Sequence, residues 1–415
     1  MSEIVVSRAC PLNGKIGVSG AKNSALPILA ATLLVQEGCV LEHVAPLYDV
    51  TNMCELLSYL GCRVDRRGDT ACIDATTLSR TDAPYELVSR LRASFLVMGP
   101  LLARYGYSCI SLPGGCAIGS RPVDLHLKGF SAMGATITQE HGCIQASAER
   151  LHGAKIYLDF PSVGATQNLM MAATLAEGET VLENAATEPE VSDLAAFLCR
   201  AGAIIEGAGT DTLHIFGVEE LHGCRHEIIP DRIEAGTFMV AAAMTHGRIC
   251  LTGVNPAHLK PVSAKLREIG VKIHEGEDII EIDASEEFRA SDIKTMPFPG
   301  FPTDMQAQFM SLLCISEGTG IITETIFENR FMHVPALVRM NANIRIEGRV
   351  AVVEGVKTLT GARLHATDLR AGAALVLAGL AAQGETVIAD AEHIYRGYDR
   401  FEEKLCALGA PVRRG

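Results

Sequence analysis

The sequence predicts an α/β (α+β) chain of two domains, each made of three copies of one repeat, with apolar helices inside and strands outside. Three observations carry this. Glycines recur at a nearly constant spacing, helical and alternating patterns follow one another in the same order, and 415 residues is too long for a single ordinary domain.

A small-residue apolar segment ends at Gly38, Gly106, Gly178, Gly247, Gly318 and Gly384, at intervals of 68, 72, 69, 71 and 66 residues. These stretches, such as Leu169–Gly178 and Ala373–Gly384, are rich in Ala, Leu and Met on every face, the composition of a helix buried all round. Each is read as a helix stopping at its glycine. A short alternating strand follows, such as 179–184, then an amphipathic second helix, such as 191–200 or 400–408. The second helix stops at Gly61, Gly134, Gly202, Gly270, Asn341 or Gly409. Asn is the other residue that commonly accepts the left-handed conformation just past a helix end, so its appearance in the fifth copy supports the helix-end reading. A strand-rich tail, such as 203–205 and 213–216, completes the copy. The six copies split three and three near Glu227-Ile228-Ile229-Pro230. One domain is then 21–229, and the other is 1–20 plus 230–415. The first 20 residues read as a strand owed to the last copy, so the chain crosses between domains twice.

Composition narrows the function. A net charge of −13 disfavours phosphate backbones over most of the surface, so no nucleic-acid partner is expected. The 13 cysteines include no CxxC pair, and no His-rich ligand spacing stands out, so no metal is expected. There is no GxGxxG after a strand and no GxxxxGK[ST], hence no expected cofactor. The start Met1-Ser2-Glu3 is not leader-like, and no apolar run is long enough for a span. A cytoplasmic protein without membrane insertion is the expectation, with its cysteines reduced. Oligomeric state is not legible.

The candidate site lies at the helix starts, where unpaired N–H groups favour anions. Lys22, Arg92 and Arg370 stand at or near the starts of first helices. A cation there opposes the helix dipole, which an anionic ligand would explain. Asp231, Asp304 and Asp368 stand there too; plain capping suffices for Asp231 and Asp368. The post-strand loops add Cys116, Arg121, Glu188, Glu190, Lys260, Arg330 and Arg396. If the domains face each other across a cleft, these residues make it basic within an acidic protein, which suits a small substrate with phosphate and carboxylate groups. The loop 112–122 holds three glycines, two prolines, Cys116 and Arg121. A thiol beside a cation in a polar loop reads as an acid or nucleophile. His126 and His333 read as structural.

Long motifs then match a known family. They are Gly20-Ala-Lys-Asn-Ser-Ala-Leu-Pro27, Arg92-Ala-Ser94, Pro113-Gly-Gly-Cys-Ala-Ile-Gly119, Arg121-Pro-Val-Asp-Leu-His126 and Ser162-Val-Gly-Ala-Thr166. Pro302-Thr-Asp-Met-Gln-Ala-Gln308, Thr325-Ile-Phe-Glu-Asn-Arg-Phe-Met-His333, Ala366-Thr-Asp-Leu-Arg370 and Arg396-Gly-Tyr398 follow in order. Over essentially its whole length the chain resembles the enolpyruvyl transferases, and within them those acting on UDP-N-acetylglucosamine. The resemblance implies an inside-out α/β barrel in each domain, six βαβαββ repeats in all, and an active site in the cleft. It implies transfer of the enolpyruvyl group of phosphoenolpyruvate to the 3′-hydroxyl of UDP-N-acetylglucosamine, with release of phosphate, at the opening of peptidoglycan synthesis.

By the same resemblance, Cys116 is the proton donor and the thiol alkylated by fosfomycin, and Asp304 is the candidate base. Lys22, Asn23, Arg121, Arg330, Arg370 and Arg396 hold phosphoenolpyruvate. Asn23, Arg92, Arg121, Pro122, Val123, Asp124, Leu125, Ser162, Val163, Gly164, Asp304 and Ile326 bind UDP-N-acetylglucosamine. Phe160-Pro161 stands where some relatives carry a basic residue for the nucleotide. Asp304→Asn is expected to cost activity more than stability. The alternative is the sister enzyme acting on shikimate 3-phosphate, which lacks the Pro-Gly-Gly-Cys loop.

Overall fold

A computed structural model describes residues 2–112, 123–140 and 142–415. The chain forms two compact domains. One holds the described residues from Gly20 to Ile229; the other holds those up to Ser19 and from Pro230 onward.

Each domain carries three four-stranded sheets of one pattern. In the third repeat, strand Lys155–Tyr157 precedes helix Val163–Ala173, strand Glu179–Glu183, helix Pro189–Arg200 and the pair Ile204–Glu206 and Thr212–Phe216. Lys155–Tyr157 pairs parallel to Glu179–Glu183, and the other pairings are antiparallel. The repeat is therefore βαβαββ.

The first sheet of each domain borrows a strand from elsewhere in the chain. Strand Arg225–Glu227, at the end of the first domain, pairs parallel to Gly38–Glu42 at its beginning. In the other domain, Asn13–Gly17 pairs parallel to Arg248–Thr252. Glu3–Ser7 completes the last sheet between Glu385–Ala389 and Val412–Arg414. The first 20 residues thus supply two strands rather than one, and only one of them serves the last repeat.

The inner helices are buried almost throughout. In Lys22–Ala31 every residue but Asn23 is buried, and in Arg232–Met244 every residue but Arg232. Ala, Leu and Met all round leave no polar face to solvate, so such a helix is stable only inside a shell, which the sheets and second helices provide. Each domain has its own apolar core around its inner helices.

The second set of sequence marks falls where a left-handed residue is needed. Gly61 and Gly270 cap their helices at φ 104° and 118°, and Asn341 sits at φ 75°. The first set behaves differently. Only Gly106 caps an inner helix directly; helix Val163–Ala173, for example, ends five residues before Gly178. Those helices close through a turn such as the 3₁₀ segment Thr32–Leu34, and the glycine opens the following strand.

Candidate active site

In the second domain, two buried arginines converge on one carboxylate. Asp304 lies in the 3₁₀ turn Thr303–Met305 that leads into helix Gln306–Leu313. It caps no helix. One oxygen accepts from Arg330 Nη2 at 2.8 Å, and the other from Arg370 Nη2 at 3.0 Å and Nε at 3.2 Å. The two arginine side chains are 4% and 1% exposed, whereas that of Asp304 is 26% exposed. The carboxylate is thus gripped from within and open to solvent on its far side.

Arg370 is the second residue of helix Leu369–Ala381. Burial opposes its charge, but Asp304 and, more weakly, Tyr398 and Asp231 favour it, so its pKa is raised. The Arg370 charge at this helix start is therefore answered within the protein by Asp304. Asp368 caps the same helix through the N–H groups of Arg370 and Ala371, and Asp231 caps Arg232–Met244 through Ile233 and Glu234.

Ile326 follows strand Thr319–Thr323, and its N–H donates to Glu324 Oε1 at 2.8 Å. Arg396 ends the 3₁₀ segment Ala391–Arg396. His333 is 1% exposed, and burial pushes its pKa down to about 4, with Arg330 acting in the same sense against Asp368.

In the first domain, Lys22 opens helix Lys22–Ala31 and is buried, with Nζ 3.3 Å from Asp49 Oδ2. Asp49 lies in the first turn of helix Tyr48–Leu60 and is itself buried. Here too a cation at a helix start has an internal counterion. Asn23 is half-buried beside it. Pro27 lacks the N–H that would have bonded the Asn23 carbonyl.

Arg92 opens a 3₁₀ segment, Arg92–Val97, rather than an α-helix. It lies close enough to His126 to disfavour the ring's positive charge. Burial is the larger cause, and the pKa of His126 is pushed down to about 3. The neutral ring accepts at Nδ1 from Asn168 Nδ2 at 3.1 Å and stands edge-on to Phe95. Asn168 also receives the Gly99 N–H at 2.8 Å and donates to the Phe95 carbonyl at 3.1 Å. This one amide ties together the segments that carry Arg92, His126 and the next inner helix. Ser162 caps that helix, accepting from Ala165 N at 3.3 Å, with Val163 and Gly164 in its first turn. Val123, Asp124 and Leu125 lie at the start of helix Asp124–Ala132. Cys116, Arg121 and Pro122 lie outside the described residues.

The sequence reading gave no role to Asp49, Asn168, Thr237, Gln308 or Tyr398. A signal was present for three of them. Asn168, Thr237 and Gln308 are buried polar residues inside mostly apolar helices, and such groups are costly unless bonded.

Residues 6–405 match the family described as EPSP synthase (3-phosphoshikimate 1-carboxyvinyltransferase). The chain belongs to that family of enolpyruvyl transferases. Its relatives specify the branch. UDP-N-acetylglucosamine 1-carboxyvinyltransferase 1 of Caldanaerobacter subterraneus is 57% identical over 100% of this chain and 99% of its own. UDP-N-acetylglucosamine 1-carboxyvinyltransferase 2 of Clostridium tetani is 55% identical over 100% of both. Among solved structures, the enolpyruvyl transferase NikO from Streptomyces tendae superposes with a TM-score of 0.90 at 26% identity, covering 100% of this chain and 99% of its own. EPSP synthase from Acinetobacter baumannii shares the fold, with a TM-score of 0.78 at 18% identity over 100% of both chains.

Proposed function

We propose that this chain transfers the enolpyruvyl group of phosphoenolpyruvate to the 3′-hydroxyl of UDP-N-acetylglucosamine and releases phosphate. Full-length identity above half to relatives named for that activity supports the reading. The observation on the structure that carries it is Asp304, a carboxylate oriented by two buried arginines yet open on one side.

The reaction is an addition followed by an elimination. The sugar O3′ bonds to C2 of phosphoenolpyruvate while its proton passes to Asp304, and C3 takes a proton from the Cys116 thiol. The tetrahedral intermediate then loses a proton from C3 and expels phosphate from C2, restoring the double bond. General acid and base groups placed in this way each contribute about 10²–10⁴ in rate.

Lys22, Asn23, Arg121 and Arg396 hold the phosphate and carboxylate of phosphoenolpyruvate by charge-assisted bonds. Arg330 and Arg370 support the intermediate, mainly through the carboxylate they orient. Asn23, Arg92, the stretch Arg121-Pro122-Val123-Asp124-Leu125, Ser162-Val163-Gly164, Asp304 and Ile326 bind the nucleotide sugar. No cofactor or metal takes part in these steps. The described cysteines form no disulfide, and among the described residues no helix is long and apolar enough to cross a membrane, which suits a cytoplasmic enzyme.

The test is phosphate release from phosphoenolpyruvate with each acceptor in turn. Release with UDP-N-acetylglucosamine and none with shikimate 3-phosphate is expected. The reverse pattern would assign the chain to the sister activity.

A further inference from the structure

Behind the Asp304 cluster lies a buried hydroxyl to which the mechanism assigns no role. Tyr398 is 1% exposed and stands two residues beyond Arg396. Its ring lies beneath the Arg370 guanidinium, 5.3 Å from the Arg370 Cζ. Its hydroxyl is 2.9 Å from Thr237 Oγ1 and 3.2 Å from Gln308 Nε2.

The proton directions follow from the neighbours. Thr237 has one hydroxyl proton, and it goes to the Ile233 carbonyl at 2.7 Å. Thr237 can therefore only accept from Tyr398. With its own proton spent there, the phenol oxygen turns its lone pairs toward Gln308 Nε2 and the Arg370 side. Gln308 Nε2 in turn donates to the Asp304 backbone carbonyl at 3.0 Å and lies 3.1 Å from Thr237 Oγ1. One phenol thus touches the inner helices of all three repeats of its domain.

The Arg396-Gly397-Tyr398 turn adds a second constraint. A Cβ at Gly397 would fall 2.2 Å from Leu369 Cδ1 and 3.5 Å from Arg370 Nη1. That turn therefore packs directly on the first turn of helix Leu369–Ala381, and a side chain at position 397 would displace the Leu369 side chain. The Nη1 pressed there is buried and has no hydrogen-bond partner among the described residues. A guanidinium with one unbonded nitrogen is restrained by the groups packed against it, and the Tyr398 ring is one of them.

We propose that Tyr398 is a positioning residue: its ring and its oriented hydroxyl hold Arg370 in place and, through Gln308, the Asp304 backbone, so that the Asp304 carboxylate presents its open side in one orientation. This rests on the reading of Asp304 as the base. The same side chain anchors the turn that follows Arg396, which couples the proposed phosphate contact to the base. Loss of the hydroxyl should therefore lower the rate of the chemical steps and leave ground-state binding nearly intact. Small misplacements of a reacting group are enough to slow catalysis strongly.

The experiment measures phosphate release for wild type, Tyr398→Phe, Thr237→Val and the double variant, with kcat expressed per UDP-N-acetylglucosamine site counted by calorimetry. Tyr398→Phe is expected to lower kcat about tenfold, with both KM values within about threefold of wild type. Thr237→Val, which removes the acceptor for the phenol proton, is expected to lower kcat about threefold. The double variant should fall no further than Tyr398→Phe alone, because both changes break one chain of contacts. A purely structural role would reduce the number of sites and leave kcat per site unchanged, and that result overturns the proposal. So does a rise in KM without a fall in kcat, or single effects that multiply in the double variant. Active wild type with an unaffected Tyr398→Phe refutes the positioning role alone; inactive wild type refutes the assigned reaction and this inference with it.

Discussion

Asp304→Asn removes the carboxylate that pairs with two buried guanidinium groups. Three N–H donors meet its two oxygens at 2.8, 3.0 and 3.2 Å. An amide keeps one accepting oxygen and turns an NH₂ group toward the other arginine. Breaking a buried ion pair from one side costs about 3–5 kcal/mol, because it leaves a charge unanswered in a poorly solvated place. The Asp304 side chain is 26% exposed, so water reaches the cluster, and the lower end of that range, about 3 kcal/mol, applies. For a domain of this size that is a fall in thermal midpoint of roughly 6–12 °C. Phosphate release should fall at least about 100-fold, the loss typical of a general base. The assay pairs scanning calorimetry with initial rates at a temperature where the variant is fully folded. A midpoint within about 1 °C of wild type would refute the energetic argument, and rates within about threefold would refute the catalytic one. The sequence alone leads to the expectation that this change costs activity more than stability. The two buried arginines change it.

Three further expectations follow from separate parts of the molecule. His126 and His333 are held neutral with pKa values near 3 and 4, below the ordinary value of 6.5, so the unfolded chain binds protons that the folded one refuses. Stability should therefore decline as pH falls below about 6.5, by about 2 kcal/mol per histidine at pH 5. Neither imidazole should titrate by NMR above pH 5, and a ring that titrates near 6.5 would contradict this. Asn341 has φ 75°, so Asn341→Gly should alter stability by less than about 0.5 kcal/mol, whereas Asn341→Ala should cost about 1 kcal/mol. Equal denaturant midpoints for the two would remove the left-handed requirement. Cys116→Asp should keep turnover while losing covalent modification by fosfomycin, and a mass increase of that variant on treatment would count against the thiol as the target.

Much of the fold could be read because the repeat writes itself six times. Asn341 in the place of five glycines identified a helix end, since Gly and Asn share tolerance of the left-handed region. The first set of glycines misled at the residue level. Leu, Ala and Thr at positions 30–34 carry the chain out of the helix through a 3₁₀ turn before Gly38 is reached, and that tightening leaves no mark in a pattern of apolar residues. The borrowed strands were half legible: the alternating start of the chain announced one strand, but the short Asn13–Gly17 segment, with two glycines, did not announce a second.

At the site, the residue types at the helix starts pointed to charge, yet Lys22 and Arg370 proved to be paired with Asp49 and Asp304. Which carboxylate meets which cation is set by the packing of helices far apart in sequence, and a linear reading has no access to it. Asn168, Thr237 and Gln308 could have been suspected as polar groups in apolar helices; their partners could not.

The central claim is that Asp304, braced by two arginines, takes the proton of the sugar hydroxyl. A crystal structure of the protein with UDP-N-acetylglucosamine tests it most directly. The expected result is O3′ of the sugar within about 3.2 Å of an Asp304 carboxylate oxygen, with both arginine contacts kept. An O3′ more than about 5 Å away, with a different basic group beside it, would contradict the account.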